Sequence, residues 1–304
     1  MRQLCEKSGF IQLSYTQIFY QMFFTPATQD RMPLVVIAGG PGSTYDYLLS
    51  LKQVAYDRPV IFYNQSGCGN SVVQGCDSVY SKNIVWTVQH YCQELKQLLD
   101  IWGYQQYHIF GHSWGGTLAI AYALQDVLPI KSLLLASPYV RYEQYVQDVR
   151  RLIRSISSEL YDNLVQREQQ NTTNTYEYIG MMCMVYEHFF CRLSYWPYEL
   201  IQSMLTINNE IYTTMWSRYE LRITGNLKNI NYIPELQKIT VPALITCGRF
   251  DVITPESMHI VHKLIKNSEL LVFENSSHVP HLEEESLYVS SIKNFLDKHD
   301  MLSK

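Results

Sequence analysis

Gly111-His112-Ser113-Trp114-Gly115 follows directly on the apolar run Tyr107–Phe110 and leads into a helical pattern that begins near Thr117. A chain that passes from strand to helix across one serine strains that serine's backbone and brings the two elements into close approach. Only small residues fit two positions to either side, and both are glycine here. Such a turn lifts the serine hydroxyl clear of the sheet and aims the first amides of the helix at whatever the hydroxyl attacks. It also demands a sheet whose strands feed helices, which narrows the fold class before any other segment is read.

The rest of the chain agrees. Short apolar runs recur at Leu34–Ala38, Val60–Tyr63, Ser132–Ala136, Ala243–Cys247 and Leu270–Phe273, and helical patterns such as Thr87–Trp102 separate several of them. Buried strands alternating with helices predict an α/β fold with a mostly parallel sheet covered on both faces. Gly9–Leu13 and Ile18–Phe24 mix aromatic and β-branched residues and read as an antiparallel opening. The alternation stops between about Arg141 and Ile233. There Tyr145, Val149, Leu152, Ile153, Ile156, Leu160 and Leu164 keep a helical period, and Gln166–Thr175 reads as a loop. Helical patterns return around Gly180–Phe190 and Pro197–Trp216. The strand pattern then resumes. Residues 141–233 are therefore expected to be a helical cap inserted into a core of residues 1–140 and 234–304. It would cover the C-terminal edge of the sheet, where such sheets bind ligands.

Composition narrows function by exclusion. Apolar residues make up 47% of the chain and charged ones 17%, and the net charge of −4 is spread in both signs. That is the balance of a globular protein, with no basic run to track a phosphate backbone, so nucleic acid is not an expected partner. No apolar stretch approaches a bilayer span and Met1–Phe10 lacks an apolar signal core, so no membrane is expected and the cytoplasm is the expected compartment. The seven cysteines are never spaced C-x-x-C, which argues against a disulfide framework and a structural zinc site. No metal and no cofactor is expected. The oligomeric state cannot be read from the chain.

A serine hydroxyl is a poor nucleophile until a neutral imidazole takes its proton, and a carboxylate must hold that imidazole in the right tautomer. Both partners appear after the serine, in the order Ser, Asp, His. Asp251 follows the strand Val241–Cys247 in Gly248-Arg249-Phe250-Asp251, and His278 follows Leu270–Phe273 in Ser276-Ser277-His278. His281 is a rival base, more simply read as a solvated or supporting histidine, and His112 as a support for the turn. Ala38-Gly39-Gly40-Pro41-Gly42 ends its own strand, where glycines let backbone approach a substrate. The amides of Gly40 and Trp114 are the expected pair of oxyanion donors. Ser113 with Asp251 and His278 thus predicts acyl-transfer chemistry.

These residues together resemble the proline iminopeptidase-like aminopeptidases of the α/β-hydrolase fold, with the tricorn-interacting aminopeptidase and amino-acid amidases as the most similar branch. Gly39–Gly42 is similar to the family's H-G-G-P-G, the stretch from Tyr63 to Ser71 to its Y-D-Q-x-G-x-G-x-S, and Gly111–Gly116 to its G-x-S-W-G-G. In the expected cap, His188-Phe189-Phe190-Cys191-Arg192 with Trp196-Pro197, and Tyr219-Glu220-Leu221 with Thr224-Gly225, resemble that branch's own pattern. The resemblance implies a small free-amine substrate, a short peptide or an amino-acid amide. It also implies two glutamates holding the substrate's α-amine. Glu220 matches one, while Val252 stands where the second would be, and Glu187 is the candidate for the missing charge. Ala38 and Asn64 replace the family's histidine and aspartate. Two other readings stay open: a small-molecule carboxylesterase and a non-catalytic binding protein on the same fold.

Overall fold

The computed structural model describes residues 3–73, 85–125, 130–219 and 221–300. β1 (Cys5–Gln12) and β2 (Thr16–Phe24) form an antiparallel hairpin, and β2 continues antiparallel to β4 (Val60–Tyr63). The short β5 (Val72–Val73) pairs with the start of β2. From β4 the sheet is parallel through β3 (Leu34–Ile37), β6 (Tyr107–His112), β7 (Ile130–Ala136), β8 (Ala243–Gly248) and β9 (Ser268–Phe273). The order is β1-β2-β4-β3-β6-β7-β8-β9. This is the expected α/β architecture.

Every residue of β3, β4, β6 and β8 is buried, which is why those segments read as unbroken apolar runs and not as alternating ones. Successive side chains still serve opposite faces. Val35 and Ile37 pack with Leu95, Leu98 and Leu118 from α1 (Val88–Trp102) and α2 (Trp114–Ala123). Leu34 and Val36 pack with Leu48 and Leu51 and with Ile292 and Phe295 of the helix Glu285–Asp300. α2 is buried from Trp114 through Tyr122, as befits a helix at the centre of the fold.

Between β7 and β8 the chain forms α3 (Tyr142–Ile156), α4 (Ser158–Gln169), α5 (Tyr176–Phe189), α6 (Tyr198–Leu205) and α7 (Asn209–Met215). Three expectations need correction here. The helical period across 145–164 is not one helix: Ser157 is extended, and its hydroxyl accepts Leu160 N–H to start a new one. That helix then runs through Gln166–Gln169, where a loop was expected, because Leu164 and Glu168 are both buried. Pro197–Trp216 likewise divides at Asn208, whose side chain caps α7 by accepting from Glu210 and Ile211. Among the described residues no helix is long and apolar enough to cross a membrane.

Candidate active site

Ser113 sits between β6 and α2 with φ 54° and ψ −119°, a conformation side chains rarely adopt. Space explains its glycines. A Cβ on Gly111 would lie 2.2 Å from Gly115 O, and one on Gly115 would lie 2.3 Å from Ile37 O. The serine's own N–H donates to Ala136 O at 2.8 Å, and its carbonyl accepts from Gly116 and Thr117, so the strained apex is held from both sides.

Asp251 and His278 come from the loops after β8 and β9. His278 Nδ1 donates to Asp251 Oδ1 at 2.7 Å, and both side chains are buried. That bond places the imidazole proton on Nδ1 and leaves Nε2 as the basic nitrogen. The carboxylate has two further donors: Ile253 N–H to Oδ1 at 2.7 Å and Ser137 Oγ–H to Oδ2 at 2.5 Å. The His278 backbone is fixed as well. Its N–H donates to Phe190 O at the end of α5, and Val252 N–H donates to Phe189 O. Two consecutive carbonyls of the helical segment thus hold the loops that carry Asp251 and His278.

The Gly39–Gly42 loop stands opposite. Gly40 has φ 108°, and a Cβ there would meet Ser43 N at 2.8 Å and Gly42 N at 2.9 Å, so no side chain fits. Trp114 is the first residue of α2, and its N–H therefore has no intrahelical acceptor. Gln65 locks the two together: its Nε2 donates to Ala38 O, and its Oε1 accepts Trp114 Nε1–H at 2.9 Å. Asn64 accepts Tyr45 N–H through Oδ1, a turn-holding bond that an aspartate there would also make.

Ser113, His278 and Gly40 open into one cavity of about 570 Å³. Its walls are mostly apolar, with Val149, Met182, Phe189, Tyr212, Trp216 and Val252 among them. Among the described residues no aspartate or glutamate lines it.

A profile of the alpha/beta hydrolase fold matches residues 32–285. A proline iminopeptidase of Heyndrickxia coagulans is 36% identical, covering 95% of this chain and 98% of its own. One from Saccharolobus solfataricus is 32% identical, covering 96% and 93%. The chain belongs to the proline iminopeptidase-like branch of the alpha/beta hydrolase fold. Solved structures agree with that membership. VinJ superposes with a TM-score of 0.88 at 30% identity, over 96% of this chain and 98% of its own. The proline iminopeptidase of Mycobacterium smegmatis also gives 0.88, at 26% identity, over 98% and 100%.

Within this family frame the residues expected from sequence separate clearly. Ser113, His278, Gly40 and the Asp251–His278 pair come together at the cavity. Val252, at the position expected to differ from a second amine-holding glutamate, lines the cavity wall. Glu220 lies outside the described residues, and its neighbours Arg218 and Leu221 line the cavity. Glu187 is exposed on α5 and does not line the cavity, so nothing in the geometry places it near a substrate amine. His281 is not solvated. It is fully buried, and burial pushes its pKa down to about 3, so it is no rival base.

Two residues were missed. Ser137 lay in an unmarked Ala-Ser-Pro stretch. Glu168 lay in the supposed loop, yet it is buried, with Oε1 accepting Tyr178 O–H and Leu221 N–H beside the cavity wall. The apolar Leu164 four residues earlier was the available signal for Glu168.

Proposed function

We propose that this chain is a serine aminopeptidase that releases the first residue, proline included, from short peptides, or splits amino-acid amides. The observation that carries the reading is the Asp251–His278 bond at the same cavity as the strained Ser113 turn, in a chain so similar to named proline iminopeptidases. Ser113 Oγ attacks the substrate carbonyl while His278 Nε2 takes its proton. The carbonyl oxygen, now negative, is met by the N–H groups of Gly40 and Trp114. Collapse expels the leaving amine, which takes the proton from His278, and an acyl-enzyme remains. Water then attacks, its proton passing through Nε2 back to Ser113 Oγ as the amino acid departs. Asp251, held by Ser137 and Ile253, keeps the imidazole in its tautomer throughout. Residues 141–233 act as the cap that admits only small substrates.

Ser113→Ala should abolish turnover with the fold intact, a loss of about 10⁶-fold in kcat for a nucleophile of this kind. A variant that keeps more than a trace of activity removes the assignment. A panel of aminoacyl-arylamides with free and acetylated amines, set beside short acyl esters, identifies the substrate class. One observation favours a second reading, a carboxylesterase: no carboxylate lines the cavity among the described residues. Ester turnover exceeding that of every free-amine arylamide would establish it.

A further inference from the structure

His112, between the turn's first glycine and its serine, is fully buried and both of its nitrogens are bonded. Nε2 meets His278 O at 2.7 Å, and Nδ1 meets Tyr47 Oη at 2.8 Å. A carbonyl only accepts, so the proton of a neutral His112 ring is on Nε2 and Nδ1 is the acceptor. Tyr47 therefore donates its hydroxyl proton to Nδ1. The Tyr47 oxygen in turn accepts Gly39 N–H at 2.8 Å. Every donor and acceptor in this series is assigned by elimination, and the series has one direction: Gly39 N–H to Tyr47, Tyr47 O–H to His112, His112 N–H to His278 O.

The two ends of the series matter. Gly39 precedes Gly40, and His278 is the base. We propose that Tyr47 and His112 are positioning residues, a one-way hydrogen-bond relay that fixes the oxyanion loop at a set distance from the catalytic imidazole. Its packing is close: a Cβ on Gly39 would lie 2.9 Å from Tyr47 Oη and 3.2 Å from Ser113 Cβ. Around His112 stand Tyr47 and the rings of His278 and His281, at 5.4, 4.7 and 5.3 Å between centroids. Burial, then repulsion from His278 and His281, holds His112 well below the usual histidine range. It stays neutral while His278 cycles between neutral and charged, so the polarity of the relay is unchanged during turnover. The role given to the relay rests on the hydrolase reading above.

Tyr47→Phe keeps the ring and removes both bonds of the hydroxyl. We expect kcat to fall about 10- to 100-fold, the size of effect that small misplacements at a reacting centre produce. KM should stay within about twofold. The affinity of an aminoacyl boronic acid, whose tetrahedral adduct uses the oxyanion donors, should fall in parallel with kcat/KM. The affinity for the free amino-acid product should not change. Wild-type kcat and boronate affinity, or an equal loss for boronate and product, would overturn the proposal. A second measurement needs no variant that must fold. In ¹⁵N spectra of the wild type, His112 should keep its proton on Nε2 from about pH 5 to about pH 9. A His112 that titrates, or that carries the proton on Nδ1, overturns the relay. The same spectrum of the inactive Ser113→Ala protein tests the relay even where the hydrolase reading has failed.

Discussion

Ser137 shows how much a single side chain contributes to the pair it supports. Its backbone has φ 47°, its hydroxyl is buried, and its proton goes to Asp251 Oδ2. Ser137→Ala leaves a buried carboxylate oxygen with one donor fewer, a loss of roughly 1–2 kcal/mol for a bond to a charged group. We expect kcat to fall about 10-fold at unchanged KM, measured on a free-amine arylamide. We propose Glu220 as the residue that holds the substrate amine, since Val252 is apolar and Glu187 faces solvent. Glu220→Gln should lower kcat/KM for free-amine arylamides by roughly 2–5 kcal/mol in barrier and leave uncharged acyl esters unaffected. Equal losses for both classes would remove the residue from that role. Legibility at this scale followed local constraint. Ser113 could be read because its glycines are forced by space. His112 could not be assigned a partner, since the turn accepts many residues at its position and Tyr47 lies 65 residues away. Glu187 was misplaced against a signal that was present: Tyr178, Met182, Val185 and Phe189 form the buried stripe of α5, and position 187 lies off it.

Among the elements, α1 bears a group that the chemistry does not use. Glu94 is buried, and its carboxylate accepts Ser66 N–H with both oxygens, at 3.2 and 3.1 Å, fixing the turn that follows β4. Burial pushes its pKa up to about 7, against the lowering effect of the Ser66 bonds. The folded state therefore binds a proton that the unfolded chain releases at lower pH. Stability from this group is fully present below about pH 4.5 and is lost as pH rises through about 7. The span is on the order of 3 kcal/mol. Glu94→Gln should flatten that decline, so the gap in denaturant midpoint between variant and wild type widens in the variant's favour from pH 5 to about pH 8. An unchanged gap would show that Glu94 is ionised in the fold throughout. Element types were legible wherever the apolar period was continuous. Boundaries were not: Ser157 and Asn208 are favoured N-cap types, but residues 141–233 hold many serines and asparagines, and only those with extended backbone start a helix.

Across the whole molecule, the helix Glu285–Asp300 is pinned to the sheet by a charge cluster, remote in sequence, around the buried Arg58 and His108. Arg58 is almost fully buried and pairs with Asp297 and Asp300, at 3.2 and 3.0 Å, while His108 Nε2 donates to Asp300 at 3.0 Å. Partial burial alone would raise Asp300, but the bonds from His108 and Arg58 outweigh it and hold the carboxyl down at about 2. Its contribution is complete above the ordinary carboxylate range of about 4 and is lost as pH falls through about 2. Burial also lowers His108, which acts in the same direction. Asp300→Asn should cost roughly 1–3 kcal/mol near neutral pH, since Arg58 keeps Asp297 as a partner. The difference in Tm should shrink as pH approaches about 2. None of this cluster was legible, because Arg58, His108 and Asp300 share no motif and meet only after the sheet has formed.

The mostly parallel sense of the sheet, by contrast, followed from the alternation of strands and helices, and with it the common edge at which Ser113, Asp251 and His278 emerge. That edge has one more consequence. The carbonyls of Phe189 and Phe190 accept the N–H groups of Val252 and His278, so the helical segment is no exchangeable cassette. A grafted segment must set two carbonyls where those of Phe189 and Phe190 stand, or the donors in the loops of Asp251 and His278 lose their partners. On the proposed reading, a change of substrate preference made through residues 141–233 keeps turnover only where the end of α5 is kept.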